Sequence, residues 1–190
     1  MPCLLTKAIG LNCKDTVGGI KAIYFSDFQV AGYSEMTFAS GVLTGIGVAQ
    51  TVFRYDVQPN TASLTTTVTN EPAGSASFDS ALEITLNILK QSTSDELQLL
   101  IQTRVFAYIL DANDNVYCIG LQNGCTVTGG TFVTGQARAD MQGYTLTVTA
   151  GEGEYPPSIT ASDSSDAAAW PFDGVNAGAG TADFTVTNPT

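Results

Sequence analysis

The feature that most constrains this chain is a regular alternation of apolar and polar side chains between residues 78 and 90. The apolar members are Phe78, Leu82, Ile84, Leu86 and Ile88, and the polar members between them are Asp79, Glu83, Thr85 and Asn87. A period of two places successive side chains on opposite faces of an extended backbone. We therefore predict a long β-strand with one buried face and one solvated face.

A short helix is predicted directly after this strand, from about residue 94 to residue 102. We predict that Thr93 is the N-cap residue of this helix. Glu96 follows three residues later, which is the spacing of a capping box. One apolar face of this helix is expected to pack back on the sheet. Its members are Leu97, Leu100 and Ile101.

Two more strands are predicted over residues 104–110 and 116–121, which are rich in aromatic and β-branched side chains. Asp111, Asn113 and Asn115 lie between them at the spacing of the first ligands of a calcium-binding loop. The glycine and the closing glutamate that such a loop requires are both missing from this sequence. We interpret the segment as a hairpin turn.

Asn123-Gly124 is predicted to form a second hairpin turn, because this dipeptide favours tight turns between paired strands. The strand after it would run from about residue 125 to residue 134. Residues 144–149, in which apolar side chains alternate with Thr, are predicted as the next strand. The run from 78 to 149 is thus expected to be a strand, a helix and then a meander.

The rest of the chain is predicted from composition and turn residues. Residues 19–28 and 47–57 are each expected to be strands. Between 56 and 80 the sequence is rich in Pro, Asn, Thr, Ser and Gly, which predicts a long loop or hairpin that projects from the body. We expect one β domain over 1–157 and a C-terminal extension or arm over 158–190.

The charge and the histidine content limit the classes of function. Seven basic and eighteen acidic residues give a formal net charge of −11 at pH 7, which disfavours binding to nucleic acid phosphates. The chain has no histidine, the commonest general base and transition-metal ligand. We expect no enzymatic activity, no cofactor and no metal site. A glycosidase that works with carboxylates alone needs an aromatic cleft around two acids, and the single Trp disfavours it.

Two short motifs have both a chemical and a structural interpretation. Glu152 and Glu154 form a close acidic pair in a Gly-rich segment, which suits acid–base chemistry or cation binding. We favour a solvated loop, because acidic residues are usually exposed. Gly45 and Gly47 match the start of a dinucleotide-binding fingerprint, but its last glycine and its crossover helix are missing.

The cysteines and the hydropathy bear on where the chain resides. Cys3, Cys13, Cys118 and Cys125 are too few for a disulfide framework, and we expect them to be mainly reduced and half-buried. Pairing across the Asn123-Gly124 turn would not bring Cys118 and Cys125 face to face. No run of about 18 apolar residues could cross a bilayer, and the opening MPCLLTKAIG lacks the order of a secretory signal. We expect a protein made in the cytoplasm without a membrane partner.

The order of segments between residues 78 and 157 also carries a family resemblance. A long amphipathic strand (SFDSALEITLNIL) is followed by a helix (STSDELQLLIQT), a strand and turn (RVFAYILDANDN) and a Gly-punctuated hairpin (VYCIGLQNGCTV). The closing segment is TGQARADMQGYTLTVTAGEGEYPP. This order resembles that of bacteriophage tail tube and major tail proteins, in which a Gly-Tyr-Thr-Leu-Thr type of strand leads to an acidic turn.

The resemblance implies an all-β fold, mainly β with one short helix, of the sandwich or barrel type. It implies a structural virion protein of the tail, with six copies to a ring and stacked rings that form the channel for DNA ejection. The implied partners are the protein itself, other tail proteins and genomic DNA that passes without specific binding. An alternative is another virion β module, such as a capsid decoration protein or an adhesin. The implied lumen-facing residues are Asp79, Glu83, Thr85 and Asn87, and the implied inter-ring loop residues are Leu64, Thr66 and Val68.

Overall fold

The structure, a computed structural model, describes residues 9–10, 16–72, 74–159, 170–176 and 184–189. Within these ranges the chain is all-β, with two sheets and short helices. None of the helices in the described ranges has the length and hydropathy needed to cross a membrane.

The elements follow one another in this order along the described chain. The first strands are β1 (Ile20–Asp27), β2 (Thr37–Ala39), β3 (Val42–Gly45), β4 (Gln50–Asp56), β5 (Ala62–Asn70) and β6 (Ala76–Leu86). The later strands are β7 (Val105–Asp111), β8 (Val116–Ile119), β9 (Thr126–Val133), β10 (Gly143–Glu152), β11 (Ser158–Ile159) and β12 (Phe184–Thr187). The helices are α1 (Val30–Glu35), α2 (Gln91–Gln102) and α3 (Asp173–Asn176).

The larger sheet has eight strands in the order β12-β4-β1-β7-β8-β11-β3-β2. Its central strands β1 and β7 contain continuous buried runs, from Ala22 to Ser26 and from Val105 to Leu110. Such runs are expected where both faces of a sheet are covered. One face packs against the smaller sheet and α2, and the other face carries a second apolar cluster.

An aromatic cluster on the far face of the larger sheet includes residues from the C-terminal segment. Phe172 is completely buried, with its ring centroid 5.2 Å from that of Tyr24, 5.3 Å from that of Tyr108 and 4.5 Å from that of Phe184. In addition, β11 pairs with β8 and β3, and β12 pairs with β4. The described residues of the predicted extension over 158–190 therefore belong to the same packing unit as the rest of the chain.

The smaller sheet has four antiparallel strands in the order β5-β6-β10-β9. The predicted alternation along β6 is confirmed, because Leu82, Ile84 and Leu86 are buried whereas Asp79 and Glu83 are exposed. The buried side chains pack against those of β1 and β7, so the two sheets form a sandwich.

The segment over residues 56–80, predicted as a projecting loop or hairpin, forms a hairpin within the smaller sheet. Its first strand, β5, pairs with β6 from Ala62 opposite Ile84 to Asn70 opposite Ala76. The pairing of β10 with β6 ends at Phe78. Only the tip of the hairpin therefore extends beyond its neighbouring strand.

Helix α2 begins three residues earlier than predicted, which corrects the role assigned to Thr93. Its N-cap is Lys90, without a side-chain capping bond, and Thr93 lies in the first turn. The Gln91 Nε2 atom donates to Asp95 Oδ1 at 2.8 Å, an i, i+4 contact that favours the longer helix. Of the three predicted apolar positions, Leu97 and Leu100 are buried, whereas Ile101 is 53% exposed.

The turn at Asn123-Gly124 does not join paired strands, so the predicted hairpin and meander are wrong at this point. It carries the chain from β8 in the larger sheet to β9 in the smaller sheet. The Gly124 N–H donates to the Gly120 carbonyl at 2.9 Å, and both glycines have positive φ angles. A side chain at Gly120 would collide with the Cys125 thiol, so this tight crossing requires glycine there.

The turn between β7 and β8 confirms the interpretation of Asp111 as a turn residue. Its Oδ1 atom accepts hydrogen bonds from the backbone N–H groups of Asn113 and Asn115, both at 2.8 Å. Burial raises the pKa of Asp111, but hydrogen bonds from Asn115 and Asn113 outweigh it and hold the pKa below its ordinary value.

The two cysteines in the described ranges are free and buried. Cys118 belongs to the cluster on the far face of the larger sheet, and Cys125 belongs to the cluster between the sheets. They lie on opposite sides of the larger sheet and do not face each other. Burial raises the pKa of both thiols, which keeps them protonated. Cys3 and Cys13 lie outside the described residues.

Candidate functional site

The outward face of the smaller sheet is composed mainly of short hydroxyl side chains. We call this surface the hydroxyl face. Strand register places on it Ser63, Thr65, Thr67, Thr69, Ser77, Asp79, Ala81, Glu83, Thr85, Thr126, Gly129, Thr131, Val133, Gly143, Thr145, Thr147, Thr149 and Gly151. Neither Lys nor Arg occurs among these residues, and Asp79 and Glu83 are the charged ones.

Local sequence explains why this face is extended and open to water. Thr is β-branched and favours strands, and its hydroxyl group tolerates exposure. Neighbouring strands place hydroxyl groups opposite one another, as at Thr131 and Thr145, whose Oγ1 atoms are 2.6 Å apart. The face therefore needs no apolar covering layer.

The four predicted lumen-facing residues do not all lie on this face. Asp79 and Glu83 are exposed on it, and Thr85 is half-buried on it, opposite Thr145. Asn87 lies just beyond the end of β6, where its Nδ2 atom donates to Gln58 Oε1 at 3.1 Å. Three of the four residues thus share the hydroxyl face.

The predicted inter-ring residues Leu64, Thr66 and Val68 lie in the edge strand β5, which corrects their assignment to a loop. They point to the inner face, opposite Leu82, Ser80 and Phe78. The inner face is apolar at Leu64 and Val68, and Thr66 Oγ1 is 2.9 Å from Ser80 Oγ. The alternation of apolar and polar side chains from Ala62 to Val68 could have indicated this strand. The turn-forming residues around it instead favoured the interpretation as a loop.

The two edges of the smaller sheet are both long and uncharged. Within the described chain, β5 lies at one edge and β9 lies at the other. Neither ASLTTTVTN nor TVTGGTFV contains a charged residue or a proline. Monomeric proteins usually protect such edges with Lys, Pro, bulges or short strands. In the described residues of these two strands, the protection found is one bulge in β9. The edges expose backbone groups that can pair with another strand.

A groove of about 440 Å³ lies between α2 and the inner face of β9. Its α2 side is formed by residues spaced along one helix face, and its floor is formed by β9 and β10. The apolar lining residues are Leu97, Ile101, Val127, Phe132, Tyr144 and Leu146. Ile101 and Phe132 remain 53% and 61% exposed. The groove thus continues the core between the sheets as far as the β9 edge.

The acidic pair at Glu152 and Glu154 has a structural role at the turn between β8 and β9. Glu152 is buried, which corrects the predicted solvated loop, and its Oε1 atom accepts from the Gln122 N–H at 3.0 Å. Burial raises the pKa of Glu152 above its ordinary value, although backbone N–H donors oppose this shift. Glu154 accepts a hydrogen bond from Tyr33 Oη at 3.2 Å. Nowhere in the described ranges do three or more His, Cys, Asp or Glu residues form a metal-binding group.

No family model, no curated protein and no solved structure matches the chain. The geometry of the smaller sheet is therefore the basis for inferring function.

Proposed function

We propose that this protein is a tail tube subunit of a bacteriophage, a structural virion protein that is made in the host cytoplasm and has no enzymatic activity. Copies would join through the edges of the smaller sheet into hexameric rings, and stacked rings would form the DNA-ejection channel. The observation that carries this proposal is a four-stranded antiparallel sheet with two long, uncharged edges and one hydroxyl-rich face.

The even number of strands supports closure into a ring. In an antiparallel sheet of four strands, the first and last strands run in opposite directions. Rotation about a common axis keeps the direction of every copy, so β9 of one copy meets β5 of the next copy antiparallel. The alternation of strand directions then continues around the whole ring.

The size of such a ring also supports the proposal. Six copies would contribute about 24 strands, and a spacing of ~4.8 Å gives a barrel roughly 37 Å across, more with strand tilt. Barrels of about 16 strands already leave an aqueous channel. A barrel of this size is wide enough to pass duplex DNA.

The chemistry of the hydroxyl face suits a channel through which DNA slides. Duplex DNA carries one negative charge for every ~1.7 Å of its axis. Asp79 and Glu83 would repel these phosphates, and the absence of Lys and Arg from the face leaves no strong phosphate contact. DNA would pass without specific binding, and no cofactor or metal is involved. Contacts between rings and with other tail proteins would fall at the ends of the strands, such as the tip near Asn70 and Ala76.

Electron microscopy of the purified protein over a range of concentrations tests the proposal. We expect hollow filaments with a uniform wall and sixfold end views. Discrete trimers or monomers at every concentration would instead support the alternative of a capsid decoration protein or an adhesin, and would overturn the tube assignment.

A further inference from the structure

The groove between α2 and β9 is an apolar surface that the described chain does not fill. Along α2, Ser94, Leu97, Gln98 and Ile101 face it at the spacing of one helix stripe. The helix lies over the inner face of β9, at the edge of the sheet. A strand added to β9 would therefore present its inner-face side chains to the open side of this groove.

The opposite edge of the same sheet has the complementary feature. Strand β5 directs Leu64 and Val68 to the inner face, where Leu64 is half-buried against the core and Val68 remains 42% exposed. In the described chain, no helix covers β5 in the way that α2 covers β9. One edge thus has an apolar groove, and the other edge has an apolar ridge.

We propose that the groove between α2 and β9 receives the ridge of β5, chiefly Leu64 and Val68, from a second copy of this chain. This inference rests on the self-association in the proposed function and adds the side chains that make the contact. Strands β5 and β9 contain nine and eight residues, so they match in length. The register can shift only in steps of two, because a shift of one residue would turn Leu64 and Val68 away from the groove.

The distribution of charge also favours contact between two copies along the β5 and β9 edges. A chain of net charge −11 repels its own copies over most of its surface. The residues of β5, of β9 and of the groove lining include no charged side chain. Two copies can therefore approach along these edges with the least electrostatic cost.

The position of the groove also makes the contact directional. Pairing of β5 with β5 would leave both grooves empty, and pairing of β9 with β9 would bring two grooves together without a ridge. Only pairing of β9 with β5 fills each groove. A head-to-tail contact of this kind generates rings or filaments, whereas a self-complementary contact stops at a dimer.

Two single variants test this contact, each of which disables one side of it. Ile101→Asp places a carboxylate in the groove, and Val68→Asp places one on the ridge. Each should raise the concentration needed for assembly by at least about tenfold, because burial of an unpaired carboxylate is unfavourable. Leu99→Asp is the matched control, since Leu99 is on the same helix, is 57% exposed and does not line the groove. It should assemble as the wild type does.

Mixing the two variants is the decisive measurement, made by sedimentation velocity. The intact ridge of Ile101→Asp fits the intact groove of Val68→Asp, so an equimolar mixture should form a one-to-one heterodimer that neither variant forms alone. A Val68→Cys, Ile101→Cys double variant gives a second measurement. After oxidation of the assembled protein, mass spectrometry should find a disulfide between residues 68 and 101 of different copies.

The outcomes separate this inference from the proposed function. Tubes that form normally from Ile101→Asp, or single variants that fail to complement each other and give no 68–101 disulfide, would overturn the groove contact while leaving the tube assignment intact. If the two variants complement each other but the wild-type protein forms only small rings or oligomers, the groove contact would be supported and the tube assignment would be refuted. A wild-type protein that stays monomeric would overturn both the groove contact and the tube assignment. Monomeric Ile101→Asp that unfolds far more easily than Leu99→Asp would mean that the same chain already fills the groove, which also overturns the contact.

Discussion

The two sheets of this protein end in different ways. At the edges of the larger sheet are β2, with three residues, and β12, with four. At the edges of the smaller sheet are β5, with nine residues, and β9, with eight. Short edge strands protect a sheet from further pairing, whereas long uncharged edges invite it. Within the described residues, the larger sheet ends in short strands, whereas the smaller sheet ends in the long edges that the proposed function assigns to self-association.

The two sheets also differ in how far their faces are covered by apolar side chains. Both faces of the larger sheet are covered by apolar side chains, and its interior aromatic residues depend on the C-terminal segment. The smaller sheet is covered on its inner face, and its outer face consists mainly of Thr and Ser. We infer that the larger sheet supplies most of the stability and that the smaller sheet supplies the surfaces for assembly.

The largest effect on stability is expected from Phe172→Ala, at the far face of the larger sheet. Phe172 is completely buried against Tyr24, Tyr108 and Phe184, so truncation should lower the free energy of unfolding by about 3–5 kcal/mol. Phe132→Ala is the control, because Phe132 is mainly exposed in β9 and should change stability by under about 0.5 kcal/mol. Urea denaturation of monomeric protein measures both. Equal losses of stability for the two variants would contradict the inference that the larger sheet supplies most of the stability.

A smaller loss is expected from Gln50→Leu in the buried polar contact of the larger sheet. Gln50 Oε1 accepts hydrogen bonds from Tyr108 Oη at 2.7 Å and from Ser26 Oγ at 3.1 Å. Removing this acceptor should cost about 1–3 kcal/mol, because a buried hydroxyl group loses its partner. Thr145→Val removes the exposed contact with Thr131 on the hydroxyl face and should cost under about 0.5 kcal/mol. A larger loss for Thr145→Val would contradict the division between the sheets.

The dependence of stability on pH should reveal the raised pKa of Glu152 in the folded protein. Because its pKa is raised in the folded state, its contribution is fully present below the ordinary glutamate pKa and is lost as pH rises through the raised value. Glu152→Gln should remove this decline, so its stability relative to the wild type should improve as pH rises through that window. Chemical denaturation at several pH values measures the difference, and an unchanged slope in Glu152→Gln would refute this role.

The smallest effect on stability is expected from exchanging the acids of the hydroxyl face. Asp79→Lys and Glu83→Lys together should change the free energy of unfolding by under about 0.5 kcal/mol, because both side chains are exposed. The same double variant should still form tubes but should slow DNA release, since lysines in the channel bind phosphates. Glu96→Lys, on α2 and outside this face, is a control that adds positive charge elsewhere. Normal ejection by the double lysine variant would show that the hydroxyl face does not line the channel.

Local periodicity predicted much of the smaller sheet. The alternation along β6 predicted that this segment is a strand and which of its side chains are buried. It also predicted three of the residues on the hydroxyl face, because a period of two is a property of the strand itself. The turn at Asp111 was likewise predicted, since its hydrogen bonds are made to residues only a few positions away. A hairpin was one of the two alternatives predicted for residues 56–80, but the place of β5 at the sheet edge and the groove beside β9 were not predicted, because both depend on which strands become neighbours.

By itself, the sequence determined that this chain is mostly β, where its long amphipathic strand lies, and that it carries a net negative charge with no histidine. Only the tertiary structure decided that Asn123-Gly124 crosses between sheets, that Phe172 and Phe184 complete the core, and that β5 and β9 are the edges. The physical reason is the range of the interactions. Side-chain alternation and turn bonds act within a few residues, whereas strand order and the covering of a sheet depend on contacts between distant parts of the chain.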